Sequence, residues 1–220
     1  LADRGAIVVL NIQRELESLV SHMDSRVEVV SLNQDRPDFD YHAYLMSLPH
    51  LLETTVDTIP ARVPYLFADP ERRKTWSQRL GPRGKLRVGL AWSGARSFKN
   101  DHNRSIPLEK FSGLLELDAD FHCLQKEIRE GDIPIVEKHL NLFVHNEAID
   151  DFGDTAALVM EMDLVISVDT SIAHLAGALA QALWILIPYT PDNRWFLDRT
   201  DSPWYPTATL FRQECDRQWA

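Results

Sequence analysis

Asp169, Thr170, Ser171 and His174 crowd a carboxylate, two hydroxyls and an imidazole into one short stretch. Ile172, Leu175, Ala176 and Leu179 mark the residues that follow as one apolar helical face, with the polar groups at its amino end. Unpaired N–H groups and the positive end of the helix dipole collect there, so the stretch suits an anion such as a diphosphate. A plain helix cap needs one hydroxyl or carboxylate, and this turn offers more than that. The helix end should also lower the pKa of His174, leaving a neutral donor for a phosphate oxygen or a leaving group.

A second polar constellation follows Val88-Gly89-Leu90-Ala91-Trp92: Ser93 and Gly94, then a loop carrying Arg96, Lys99 and Arg104 against the single acid Asp101. This is a basic island in a chain of 220 residues with a net charge of -10. Lys99 or Arg104 would stabilise charge growing on a phosphate leaving group. The overall acidity argues against nucleic acid as a partner, so any anion site has to be local. Cys123 and Cys215 are the only cysteines and form no CxxC pair, so neither a disulfide framework nor a structural zinc site is expected. His42 with His50, and His139 with His145, lack helical zinc spacing, so no metal is expected.

Both constellations need strand ends to hold them. Leu1-Ala2-Asp3-Arg4-Gly5 reads as the end of a helix, with Gly5 as its cap. Ile7 to Leu10 and Val27 to Val30 read as strands around a helix from Arg14 to His22, and a weaker apolar run covers Tyr41 to Met46. Prolines 60, 64 and 70 mark an extended connector before a charged helix, Glu71 to Leu80. Beyond Gly81-Pro82-Arg83-Gly84 the alternation becomes regular, with strands at Leu86–Trp92, Phe121–Leu124, Leu142–Val144, Leu164–Val168 and Leu183–Ile187 separated by helical segments. Such alternation predicts a parallel α/β sheet covered on both faces, with ligands at the carboxyl ends of the strands. Residues 1–68 are expected to form a partial amino-terminal α/β domain, 69–84 a linker and helix, 85–190 the ligand-binding α/β domain, and 191–220 a segment packing back across the domains. The apolar runs are strand-sized and no leader opens the chain, which predicts a cytoplasmic protein without a membrane span.

Gly89-Leu90-Ala91-Trp92-Ser93-Gly94, Asn103-Arg104-Ser105-Ile106-Pro107 and Ser167-Val168-Asp169-Thr170-Ser171-Ile172-Ala173-His174-Leu175-Ala176-Gly177 together resemble the glycosyltransferase-like domain at the carboxyl end of bacterial tetratricopeptide-repeat proteins. That domain is related to the heptosyltransferases of lipopolysaccharide synthesis, and more remotely to the O-linked N-acetylglucosamine transferases. Ser202-Pro203-Trp204-Tyr205-Pro206 and Leu210-Phe211-Arg212-Gln213 resemble the family's tail.

The resemblance implies a GT-B-like fold of two Rossmann-type parallel-sheet domains, the amino-terminal one incomplete. It makes Asp169, Thr170, Ser171 and His174 the donor diphosphate contacts, with Ser93, Gly94, Lys99 and Arg104 facing the phosphates, and Gln125 and Lys126 at the nucleoside. Trp195, Trp204 and Tyr205 are aromatic residues that could stack a base. The donor is then a nucleotide-diphosphate sugar, with no cofactor, and the acceptor an unknown sugar, lipid or protein. Transfer is expected to be metal-independent and inverting. The family's catalytic Asp stands in a glycine-rich loop after a first strand, and the resemblance places that loop upstream of Leu1. No residue of this chain is therefore assigned as the catalytic base. The alternatives are a degenerate domain that serves as an interaction module of a repeat protein, and a sugar-nucleotide epimerase, which shares the architecture.

Overall fold

In a computed structural model, which describes residues 1–216 and Trp219, the amino-terminal residues build a small parallel pair. The stretch from Leu1 to Gly5 is a single 3-10 turn, Ala2–Arg4, closed by Gly5 in the left-handed region at φ 85. β1 (Val8–Ile12) and β2 (Val27–Ser31) lie side by side with Val8 opposite Val27. Between them the predicted long helix is reduced to a 3-10 turn, Arg14–Leu16, and α1 (Glu17–Val20). It stops at Ser21, whose Oγ bonds back to the Glu17 carbonyl at 2.7 Å and competes with further winding. The run Tyr41 to Met46 makes no strand. Tyr41 and Tyr44 stand exposed with no face to bury them, and a 3-10 turn leads into α2 (Leu48–Leu51).

α3 (Pro70–Leu80) opens with Pro70 in its first turn and Asp69 accepting from the Arg72 N–H at 2.9 Å. The regular part follows: β3 (Leu86–Ala91), α4 (Asp101–Arg104), α5 (Ser112–Leu115), β4 (Ala119–Cys123), α6 (Ile133–Lys138) and β5 (Leu142–Val144). After these come α7 (Phe152–Val159), β6 (Leu164–Val168), α8 (Ser171–Ala178), β7 (Leu183–Ile187) and β8 (Ala208–Arg212). All six strands β3 to β8 are parallel, in the order β5-β4-β3-β6-β7-β8. The mixed α/β class and the parallel sheet expected from the alternation are therefore present.

β8 completes the sheet from within the segment expected to pack across the domains. Ala208 and Leu210 point into the core while Thr209 and Phe211 face out, the period-two pattern of a strand covered on one side. The inner strands are apolar on both faces. Leu90, Val88 and Phe121 belong to one core layer with Phe111 and Leu115, and Val165, Ile185 and Ile187 belong to the other with α7, α8 and Trp76 of α3. Cys123 is fully buried and unpaired, and burial pushes its thiol up to about 12. Among the described residues no helix is long and apolar enough to cross a membrane.

Candidate functional site

The strand order reverses between β3 and β6. β4 and β5 are added on one side of β3, while β6, β7 and β8 lie on the other. Crevices in open parallel sheets form at such a reversal, beyond the carboxyl ends of the strands. Here a cleft of about 510 Å³ opens there, lined by Ser93 and Gly94 after β3, Gln125 and Lys126 after β4, Thr170 and Ser171 after β6, and Arg104. Seven of the ten residues singled out in the sequence thus converge.

Thr170 occupies the capping position of α8 with extended backbone, φ -137 and ψ 177, yet its side chain makes no capping bond. Its Oγ1 instead lies 3.2 Å from the Ser167 Oγ. The first turn of α8 therefore has no side-chain cap, and the exposed Ser171 stands beside it. Such a helix end attracts an anion.

The loop across the cleft is cross-braced. The Asp101 carboxylate, almost buried, accepts from Ser105 Oγ at 2.9 Å, from Arg104 Nε at 3.2 Å and from Arg129 Nη2. Burial alone would raise the pKa of Asp101, but these hydrogen bonds outweigh it and hold the carboxyl below its usual range. Two guanidiniums around one carboxylate leave the loop net positive. Arg104 also donates through Nη1 to the Asp169 carbonyl at 2.9 Å, which ties the two sides of the cleft together. Gly94 permits this packing, because a Cβ there would land inside the Arg104 guanidinium.

Gln125 is buried, and its amide is fully matched. Oε1 accepts from the backbone N–H groups of Trp92 and Ser93 at 3.0 and 3.1 Å, and Nε2 donates to Ser93 Oγ and the Glu127 carbonyl. It shapes the turn after β3 from below, with no polar atom left over for a nucleoside. Lys126 is exposed on the cleft wall, its Nζ 3.2 Å from the Asp150 carbonyl. Lys99 is exposed and outside the cleft lining; the Asp169 side chain is also outside that lining but largely buried.

His174 lines an adjoining cavity of about 550 Å³, which shares Glu15, Phe152 and Ser171 with the cleft. Both its ring nitrogens are occupied: Nδ1 lies 3.0 Å from Tyr205 Oη, and Nε2 lies 3.2 Å from Arg194 Nη1. Its pKa is lowered, as the sequence suggested, but burial is the largest cause and the Arg194 charge the next, opposed by Asp169 and Asp192. Trp195, fully buried, stacks on the imidazole with centroids 5.3 Å apart, and Tyr205 fits against Gly177. These rings brace α8 and present no open face to a base. Sequence reasoning missed Arg129 and Arg194, which reach the site from loops 28 and 20 residues away from their partners Asp101 and His174. Among the described residues no group of three His, Cys, Asp or Glu side chains comes together to hold a metal ion.

No protein-family profile matches the chain. It is 30% identical to protein FlbA of Caulobacter vibrioides over 85% of its own length, and spans about a third (32%) of FlbA. Among solved structures, E. coli heptosyltransferase WaaC with ADP superposes with a TM-score of 0.50 at 12% identity, covering 98% of this chain and 71% of that one. The same enzyme with ADP-2-deoxy-2-fluoro heptose gives 0.49 at 12% identity, covering 98% and 70%. The chain is therefore similar in fold to a heptosyltransferase, a glycosyltransferase of the GT-B kind.

Proposed function

We propose that this chain supplies the donor side of a glycosyltransferase and binds a nucleoside-diphosphate sugar in the cleft between β3 and β6. One observation carries the reading: the uncapped first turn of α8, with Thr170 and Ser171, faces the arginine-bearing loop of Ser93, Gly94 and Arg104 across a single cleft. Helix N–H groups and hydroxyls on one side and a guanidinium on the other grip a diphosphate from two directions. The solved structure of similar fold holds ADP, which supports a diphosphate as the ligand. Lys126 is the residue placed to meet the nucleoside. Lys99 and Asp169, outside the cleft lining, act only through long-range charge.

Transfer also needs a general base and an acceptor. We assign the base to a segment upstream of Leu1 in a longer protein, with tetratricopeptide repeats preceding it and a sugar, lipid or protein as acceptor. The second reading, a degenerate domain acting as an interaction module of a repeat protein, is favoured by Gln125, whose polar groups are all matched inside the protein.

Titration calorimetry with ADP, UDP and GDP tests the proposal. At least one should bind, and replacing Thr170 and Ser171 together by Ala should weaken it about tenfold, in line with roughly 1–1.5 kcal/mol for lost hydrogen bonds. Absence of heat at millimolar nucleotide would refute it.

A further inference from the structure

His174 sits one turn into α8, where the helix end and the two hydroxyls make its imidazole look like a ligand contact. The geometry points elsewhere. Arg194 Nη1 lies 3.2 Å from His174 Nε2, and a guanidinium can only donate. Nε2 must therefore offer its lone pair, which leaves the proton on Nδ1, 3.0 Å from Tyr205 Oη. The guanidinium is itself held in place. Asp192 takes Arg194 Nε at 2.8 Å and Nη2 at 3.1 Å in a two-pronged bond, and also accepts the Arg194 backbone N–H at 3.0 Å. Trp195 stacks on the ring, interplanar angle 15°, and blocks its rotation.

We infer that Arg194, clamped by Asp192, is a positioning residue that fixes His174 with its proton on Nδ1 and its Nε2 closed to ligand, so that an anion at α8 meets the helix end, Thr170 and Ser171. This rests on the donor-site reading only for the identity of the anion. The charged and titratable groups around the imidazole are Arg194 and Asp192 on their loop, Asp169 with Oδ1 at 3.9 Å from Nε2, Tyr205 from the tail, and Glu15 and Tyr65 across the shared cavity. Asp169 is the rival: a proton on Nε2 would point to its carboxylate. At 3.9 Å that contact is too long for a hydrogen bond, and Arg194 is closer. The device lets the head of α8 hold a constant charge while pH changes, because burial and the neighbouring cation both oppose an imidazolium.

Histidine-selective nitrogen-15 NMR of the ligand-free protein reads the tautomer directly, with the His174 signal identified by its loss in His174→Asn. The expected result is the Nδ1-protonated pattern, with a titration midpoint below that of free histidine. Arg194→Lys, which still donates, should keep that pattern. Arg194→Ala removes the cation and leaves Asp169 and Asp192, so the midpoint should rise and the Nε2-protonated form should appear. Asp192→Asn loosens the clamp but also removes a carboxylate that favours the imidazolium, so it is read by tautomer: some Nε2-protonated form should appear, and that decides the matter should Arg194→Ala not fold. An Nε2-protonated wild type, or a tautomer unchanged in whichever of Arg194→Ala and Asp192→Asn folds, would overturn the inference. Because no nucleotide is present, failure of ADP to bind would sink the donor-site reading and leave this one standing.

Discussion

Residues 1–69 and residues 85–212 use the same strand-helix-strand grammar and reach opposite degrees of completion. In the second region the central strands β3 and β6 have neighbours on both sides and are buried along nearly their whole length. In the first, β1 and β2 have only each other, and Ile12, Val30 and Ser31 are their buried residues. Phe39, Tyr41, Tyr44 and Met46 stand exposed beside them. Two parallel strands alone bury too little to hold their order, so the first region takes its order from the second. Leu19 of α1 inserts into the larger core, and Ser18 donates to Asp151 at 2.7 Å, the carboxylate that also caps α7 and binds Arg72. The Tyr65 and Leu66 N–H groups reach the Ala178 carbonyl at the end of α8. Independent structure in a parallel sheet comes from central strands with neighbours on both sides and cover on both faces.

That contrast is open to direct attack. Leu90→Ala in β3, a fully buried site, should cost about 2–5 kcal/mol in denaturant unfolding, whereas Leu10→Ala in half-buried β1 should cost about 1 kcal/mol or less. Equal losses would show the two regions to be equally built. Gly177→Ala drives a methyl group into the Tyr205 ring and should cost about 3 kcal/mol, detectable as a lowered thermal midpoint.

The third expectation concerns acid. His122 and His145 form a stacked pair in the second region, 3.0 Å between Nδ1 and Nε2, and burial, aided by nearby positive charge, lowers both to about 4. Their folded pKa values lie below the unfolded value near 6.5, so the stabilisation of the neutral rings is complete above that pH. It is lost as pH falls from 6.5 through about 4. His122→Phe should flatten that decline by roughly 2 kcal/mol, seen as a shallower dependence of the thermal midpoint on pH. The smallest effect is at the joint. Asp151→Ala removes the helix cap and the contacts to Ser18 and Arg72, and should cost about 1 kcal/mol globally while raising amide exchange selectively in α1.

The second region is readable from its sequence because its strands are continuous apolar runs ended by polar turns. Leu164-Val165-Ile166 followed by Ser167 and Asp169 leaves little doubt where the strand stops and the turn begins. Seven candidate residues reach the cleft because strand ends in a parallel sheet share one rim. The failures are of another kind. Gln125 and His174 carry the right chemistry at the right height, but their partners, Ser93 at one and Arg194 at the other, arrive from distant loops and occupy their polar atoms. Tyr41 to Met46 has strand-like composition without a neighbour to pair with, and pairing is a tertiary property. Ala208 to Arg212 alternates as an edge strand should, yet in five residues that pattern is too brief to separate a strand from a packed tail.

The pairing of β3 with β6 sets Val88 opposite Leu164, 76 positions later in the chain. Everything between, including β4, β5 and α7, has to be made before the two lips of the cleft can meet. Closing contacts this far apart is slow, and a partly synthesised chain presents the Ser93 loop with nothing facing it. A nucleotide bound as proposed would thus be recognised late in the life of the nascent chain, by the finished sheet alone. A ligand that binds only this state would also hold it closed against unfolding by mass action.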